Sequence, residues 1–176
     1  VGTFVIVSGI VTGDFQNGAG LGTNGDLDGY YVQAVPGDGL ATTSDGIFVF
    51  SGSGAAVNVN LGDAVTITAR VDEFFGDTQL NVTVASASVV VNSSGNPLPA
   101  ATPITLDGSI PVILNADNER IGNLEPYEGM LVRFPQTLTV VEQFNLDRFG
   151  EMRLAAGGRL LQFTNANAPS VAGYSS

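Results

Sequence analysis

The stretch Asn24-Gly25-Asp26-Leu27-Asp28-Gly29 sets three oxygen-bearing side chains at alternate positions ahead of a glycine. Hard cations such as calcium take ligands of this kind, and Asp14 is a candidate ligand from outside the stretch. The full calcium loop with its closing glutamate is missing, so the same residues also read as an acidic turn, where Asn and Asp tolerate unusual backbone angles. A second set is aromatic and basic. Phe74, Phe75, Tyr30, Tyr31 and Tyr127 could stack on bases, with Arg133, Arg148, Arg153 and Arg159 meeting phosphates. Against this, aromatics alternating along strands usually fill a core, and lone arginines usually pair with nearby carboxylates, here Asp147 and Glu151. A third set is the acid pairs Glu125/Glu128 and Asp72/Glu73, whose type suits acid–base chemistry. Their setting, one helical turn and one hairpin, reads as structural.

Composition narrows these options. The chain has no cysteine and no histidine. Thiolate metal sites, disulfides, Ser-His triads and the usual zinc ligand are therefore excluded. Net charge is −11, and the six basic residues are all arginine: Arg70, Arg120, Arg133, Arg148, Arg153 and Arg159. A surface of this sign repels nucleic acid and anionic membranes. It suits secreted or salt-adapted proteins, so an extracellular or cell-surface location is expected. No run is long enough for a membrane-spanning helix, and no membrane insertion is expected. The opening residues Val1 to Val11 are β-branched and lack a basic flank, so they read as a strand and not as a signal peptide. The absence of an initiating Met implies a processed product or an excerpt of a longer protein.

The elements that must position these residues are strands. With 44% hydrophobic and 13% charged residues and 23 glycines, the chain predicts an all-β fold with tight turns. Strands are predicted from Thr3 to Thr12, Tyr30 to Gln33, Gly46 to Phe50 and Ala64 to Val71. A long return strand is predicted from Thr78 to Val91, with Leu80, Val82 and Val84 on one face. Val65, Ile67, Ala69 and Val71 alternate with Thr66, Thr68 and Arg70, the clearest period-two pattern present. Phe74-Phe75-Gly76-Asp77 reads as a hairpin turn. These five strands suit a small barrel over residues 1–91. Residues 92–122, rich in Pro, Ser and Asn from Asn92 to Pro103, read as linker or loop. Residues 123–176 read as a second small β unit packed on the first. Its expected parts are a helical turn capped by Asn123, strands at Gly129–Phe134 and Thr137–Val141, and short strands at Arg153-Leu154 and Leu160–Phe163. At most one or two short helical turns are expected.

Several segments carry a family likeness. They are Gly9-Ile10-Val11-Thr12-Gly13-Asp14-Phe15-Gln16, Tyr30-Tyr31-Val32-Gln33, Thr43-Ser44-Asp45-Gly46-Ile47-Phe48-Val49-Phe50 and Gly62-Asp63-Ala64-Val65. The series continues with Val71-Asp72-Glu73-Phe74-Phe75-Gly76-Asp77-Thr78-Gln79-Leu80 and Leu124-Glu125-Pro126-Tyr127-Glu128-Gly129-Met130-Leu131-Val132. It ends with Asn145-Leu146-Asp147-Arg148-Phe149-Gly150-Glu151 and Gly157-Gly158-Arg159-Leu160. In this order they resemble the OB-like domain of bacterial extracellular endonucleases, which precedes a DNase-I-like catalytic domain. The resemblance implies a non-catalytic module that positions or braces a nuclease on extracellular DNA. It carries no catalysis, because a DNase-I-like site needs a histidine beside its metal-binding carboxylates. Any nuclease activity would belong to a longer parent protein.

The rival expectation is a structural subunit of an extracellular filament or surface layer. The opening strand is long and apolar, and Thr3, Val5, Val7 and Ile10 are its candidates for pairing with an open sheet edge in a neighbouring copy.

Overall fold

The computed structural model describes residues 2–16, 27–54, 57–114, 120–146, 152–159, 161 and 163–165. The chain is all-β and divides into two compact units, Val1–Arg133 and Phe134–Ser176.

The first unit is built on β1 (Phe4–Phe15), β2 (Gly29–Gln33), β3 (Gly46–Phe50), β4 (Ala64–Phe74), β5 (Asp77–Asn81) and β6 (Ser88–Ser93). Their order is β1-β2-β3-β5-β4-β6, and an additional β1–β4 pairing closes the first five into an OB-like barrel. One strand, β1, serves both neighbours. Phe4 to Ile10 pair with β4, and Ile10 to Phe15 pair with β2. The register slips between Val11 and Gly13, a bulge that bends the strand around the barrel. Gly9 sits at the changeover, where a Cβ would stand 2.5 Å from the Gln33 carbonyl oxygen.

The predicted alternation in β4 is the core. Val65, Ile67 and Ala69 are buried with Val11, Tyr30, Val32, Val49, Val59 and Leu80. Burying each such aliphatic side chain stabilises the fold by roughly 1.5–3 kcal/mol. Gln16 is a buried polar pin. Its amide nitrogen donates to the Ser51 hydroxyl and the Val57 carbonyl, and its oxygen accepts from the Val59 amide.

The predicted strand from Thr78 to Val91 is two strands. The Asn81 side-chain oxygen accepts from both the amide and the hydroxyl of Thr83, which ends β5 locally. The Val82 amide still donates to the Phe50 carbonyl at 3.1 Å, and Ser86 then adopts a left-handed backbone (φ 72°) before β6 begins. Both pieces run antiparallel to β4: β5 along Arg70–Phe74 and β6 along Ala64–Thr68. The break frees β5 to pair in parallel with β3 and close the barrel.

The stretch read as linker also holds structure. Asn92 and Ser93 end β6, and β7 (Thr102–Pro103) pairs in parallel with β10 (Val132–Arg133). Between them β8 (Val112–Leu114) and β9 (Arg120–Gly122) form an antiparallel pair. The predicted strand Gly129–Phe134 shortens to β10, because Gly129 takes a left-handed backbone (φ 69°). The helical turn is a 3-10 turn, Glu125–Tyr127; Leu124 holds the N-cap position without a side-chain bond, and the Asn123 side chain one residue earlier accepts the Glu125 amide.

In the second unit β11 (Leu138–Glu142) pairs antiparallel with β12 (Arg153–Ala156). Gly157 and Gly158, both at positive φ, end β12. Phe163 lies in a 3-10 turn, Phe163–Asn165, where a strand was expected; the polar Thr164-Asn165 favours local turns over a ladder. Leu160 and Gln162 lie outside the described residues.

Candidate functional site

Barrel register builds a row of side chains on the outer sheet face. Tyr31 pairs with Phe48, Phe48 with Gln79, and Gln79 with Asp72, so four adjacent strands each contribute one residue. The Tyr31 and Phe48 rings lie 5.0 Å apart between centroids. Glycine makes room for them: a Cβ on Gly29 would stand 2.4 Å from the Phe48 ring and 2.3 Å from the Val49 carbonyl oxygen.

The row floors a groove of about 780 Å³. One wall is the β4–β5 hairpin, from Asp72 to Asn81. The other is formed by Ser44 to Phe48 with Glu128 and Gly129. That second wall depends on two backbones crossing. A Cβ on Gly46 would stand 2.4 Å from the Gly129 backbone, and one on Gly129 would stand 2.9 Å from the Ile47 nitrogen. The Ser44 hydroxyl donates to the Glu128 carbonyl, and the Leu131 amide donates to the Gln33 side chain at 2.9 Å. This stitching delivers Glu128 to the groove from far along the chain.

The hairpin tip is a two-residue turn. Phe74 pairs with Asp77, and Phe75 (φ 53°) and Gly76 (φ 100°) are both left-handed, as a type I′ turn requires. Asn-Gly is the usual choice there. A bulky residue in that backbone region is uncommon and costs on the order of 1–3 kcal/mol. The Phe75 ring is 95% exposed, and it meets Phe74 edge-on at 4.7 Å. Phe74 lines the groove.

Carboxylates dominate the electrostatics. Arg70 holds Asp72 through two contacts of 2.7 Å, and the Asn81 amide adds a third at 2.9 Å, so the Asp72 carboxyl is held below the usual range. Glu73 accepts the Thr78 hydroxyl at 3.2 Å. Partial burial pushes the Glu128 carboxyl up, and the charges of Asp77, Glu125 and Glu73 add to the shift. Burial also raises the Tyr31 phenol, with Asp77 and Glu128 acting in the same direction. The residues lining the groove include neither arginine nor lysine.

Of the sequence-predicted residues, Tyr31 and Phe74 meet in this groove, together with Asp72, Glu73 and Glu128 from the two acid pairs. Phe75 stands at the hairpin tip, and half-buried Tyr127 lies in the 3-10 turn just before Glu128. Tyr30 is fully buried in the core and has no face open for stacking. The candidate arginines fall in both units. Arg133 is exposed on β10 of the first unit. Arg153 lies on β12 of the second unit, 3.4 Å from Glu142, and Arg159 is exposed in that unit. Arg148 lies outside the described residues, as do Asn24 and Asp26 of the calcium set. Asp14 accepts the Gln16 amide at 3.1 Å, and Asp28 takes a left-handed backbone (φ 53°) just before β2. Among the described residues, no three His, Cys, Asp or Glu side chains gather as a metal-holding group.

Thr3, Val5, Val7 and Ile10 are engaged within the barrel. The Thr3 carbonyl accepts the Val71 amide, Val5 and Val7 pair with Ala69 and Ile67, and Ile10 pairs with both Ala64 and Gln33. Among the described residues, no helix is long and apolar enough to cross a membrane.

No protein-family model matches the chain, and no curated protein or solved structure matches it either.

Proposed function

We propose that this chain is a non-catalytic extracellular module that serves a nuclease by bracing it as a rigid neighbour, and not by gripping DNA itself. The nuclease comes from the family resemblance. The preference for bracing comes from one observation: the groove on the outer barrel face is walled by Asp72, Glu73, Asp77 and Glu128 with no cation among its lining residues. A polyanion entering it would meet like charge on a chain whose net charge is −11. Sedimentation velocity with labelled single-stranded DNA, at physiological salt with calcium, tests this. Free DNA beside a monomer-sized protein is the expected result. DNA travelling with the protein overturns bracing in favour of direct contact. Reading the gene onward from the Ser176 codon tests the nuclease part, and a DNase-I-like domain is expected there.

A second reading, a filament or surface-layer subunit, has one observation in its favour. The outer edge of β1 from Phe4 to Ser8 pairs with no strand among the described residues, and Phe4 and Ile6 are exposed beside it. The same sedimentation run addresses it. Large assemblies that Ile6→Lys returns to monomers would establish this reading over the first. Removing β1 altogether is a poor test, since that strand closes the barrel.

A further inference from the structure

The groove combines an aromatic floor with uncompensated negative charge. Tyr31 and Phe48 present ring faces and edges, Phe74 stands on the hairpin wall, and Glu73, Asp77 and Glu128 supply charge from both walls. The nearby guanidinium of Arg70 is committed to Asp72. From charge complementarity, we infer that the groove holds an arginine or lysine side chain of a partner polypeptide. The cation would sit over the Tyr31–Phe48 floor, between Glu128 on one wall and Glu73 and Asp77 on the other.

Three physical points favour this occupant. Aromatic faces attract cations, with a further gain where water is partly excluded. Carboxylates on opposite walls suit the several N–H donors of a guanidinium or ammonium group. A volume near 780 Å³ is large for a bare metal ion and ample for a long side chain with its flanking backbone. Like charges brought together around a partly buried Glu128 also work against folding, so a binding role explains an arrangement that packing does not require. The inference goes beyond the bracing reading, because it names what the groove holds whichever protein carries the basic segment.

The test is a titration of the isotope-labelled chain, followed by amide shifts, with the capped tripeptide acetyl-Gly-Arg-Gly-amide and its glutamine counterpart. Expected are shifts clustered at Ile47, Phe48, Phe74, Gln79 and Gly129 with the arginine peptide and none with the glutamine peptide. The double variant D77N/E128Q should weaken binding about tenfold. D107N, at an exposed acid that is not among the residues lining the groove, should leave it unchanged. The spectrum of each variant reports directly whether it folds. Scattered shifts, equal response to both peptides, or equal weakening by D107N would overturn the proposal. So would calcium chloride alone, or a short glucose oligomer, reproducing the clustered shifts, because the occupant would then be a metal or a sugar. Failure here leaves the DNA and gene results intact, so the two readings fall separately.

Discussion

Strand β4 serves two regions that obey different rules. Its first half, Ala64 to Ala69, alternates buried Val65, Ile67 and Ala69 with half-exposed neighbours, and it pairs on both edges, with β1 and with β6. Local propensity, pattern and packing there all favour the same strand. Its second half, Arg70 to Phe74, runs out to a hairpin that carries Asp72, Glu73 and Phe74 into the groove and holds Phe75 in a left-handed backbone. The exposed aromatic rings and the left-handed backbone of Phe75 cost stability there, while the Arg70–Asp72 pair acts the other way. One strand thus passes from residues that build the fold to residues the fold merely supports. The second kind marks where function is to be sought.

The comparison predicts opposite signs for substitutions at the two ends. Ile67→Ala should have the largest effect. Ile67 is fully buried in the barrel core, and truncation there should destabilise by about 3 kcal/mol, seen as a lower urea midpoint. Gly29→Ala comes next. Its new Cβ would press on the Val49 carbonyl oxygen and the Phe48 ring, costing about 2 kcal/mol as overpacking. Because the Phe48 ring must tilt, the same variant should also weaken arginine-peptide binding. A stable Gly29→Ala with unchanged binding would detach the groove from the β2–β3 register on which we place it.

Phe75→Asn should act the other way. Asparagine tolerates the left-handed region and is common in two-residue hairpin turns, so a gain of about 1 kcal/mol is expected from relief of backbone strain. The measurement is again the urea midpoint, with an unchanged slope. No gain would mean that the hairpin tip is as well fitted as the core, and the contrast between the halves of β4 would collapse.

How far these regions could be read from sequence follows the same divide. The period-two run from Val65 to Val71 announces β4, and the segment Phe74-Phe75-Gly76-Asp77 announces the hairpin turn that follows it. The break between β5 and β6 was hidden, because Val82 and Val84 continue the apolar pattern. What ends the strand is the Asn81 side chain bonding back to Thr83, a local competition that hydropathy does not register. The groove was legible only in pieces. Asp72/Glu73 and Glu125/Glu128 stand in the sequence as separate acid pairs, and Phe48 as one residue of the apolar strand Gly46–Phe50. Their meeting depends on cross-strand register and on the Gly46–Gly129 backbone crossing, both long-range features. Gly46 and Gly129 were visible, but nothing in either local segment points to the other.

The smallest predicted effect is the most specific. Glu128 has its carboxyl raised above the ordinary value of 4.5, first by burial and then by Asp77, Glu125 and Glu73. In the window between the ordinary and the raised value, the folded state binds more protons than the unfolded state. Stability therefore falls as pH rises through that window, and the penalty is complete above it. The aspartates with lowered carboxyls, Asp63 and Asp72 among them, act oppositely: their contribution is present above the ordinary range and is lost on acidification. Glu128→Gln removes the first effect and keeps the second. At neutral pH the variant should be more stable than the parent by about 0.3 kcal/mol, a small figure because solvent screens a partly exposed carboxyl. That advantage should shrink to nothing as pH drops below the ordinary glutamate range. Paired urea midpoints across this range measure it. A difference that does not vary with pH would show that the groove carboxylates do not repel one another in the folded chain, and the charge argument for a cationic occupant would lose its footing.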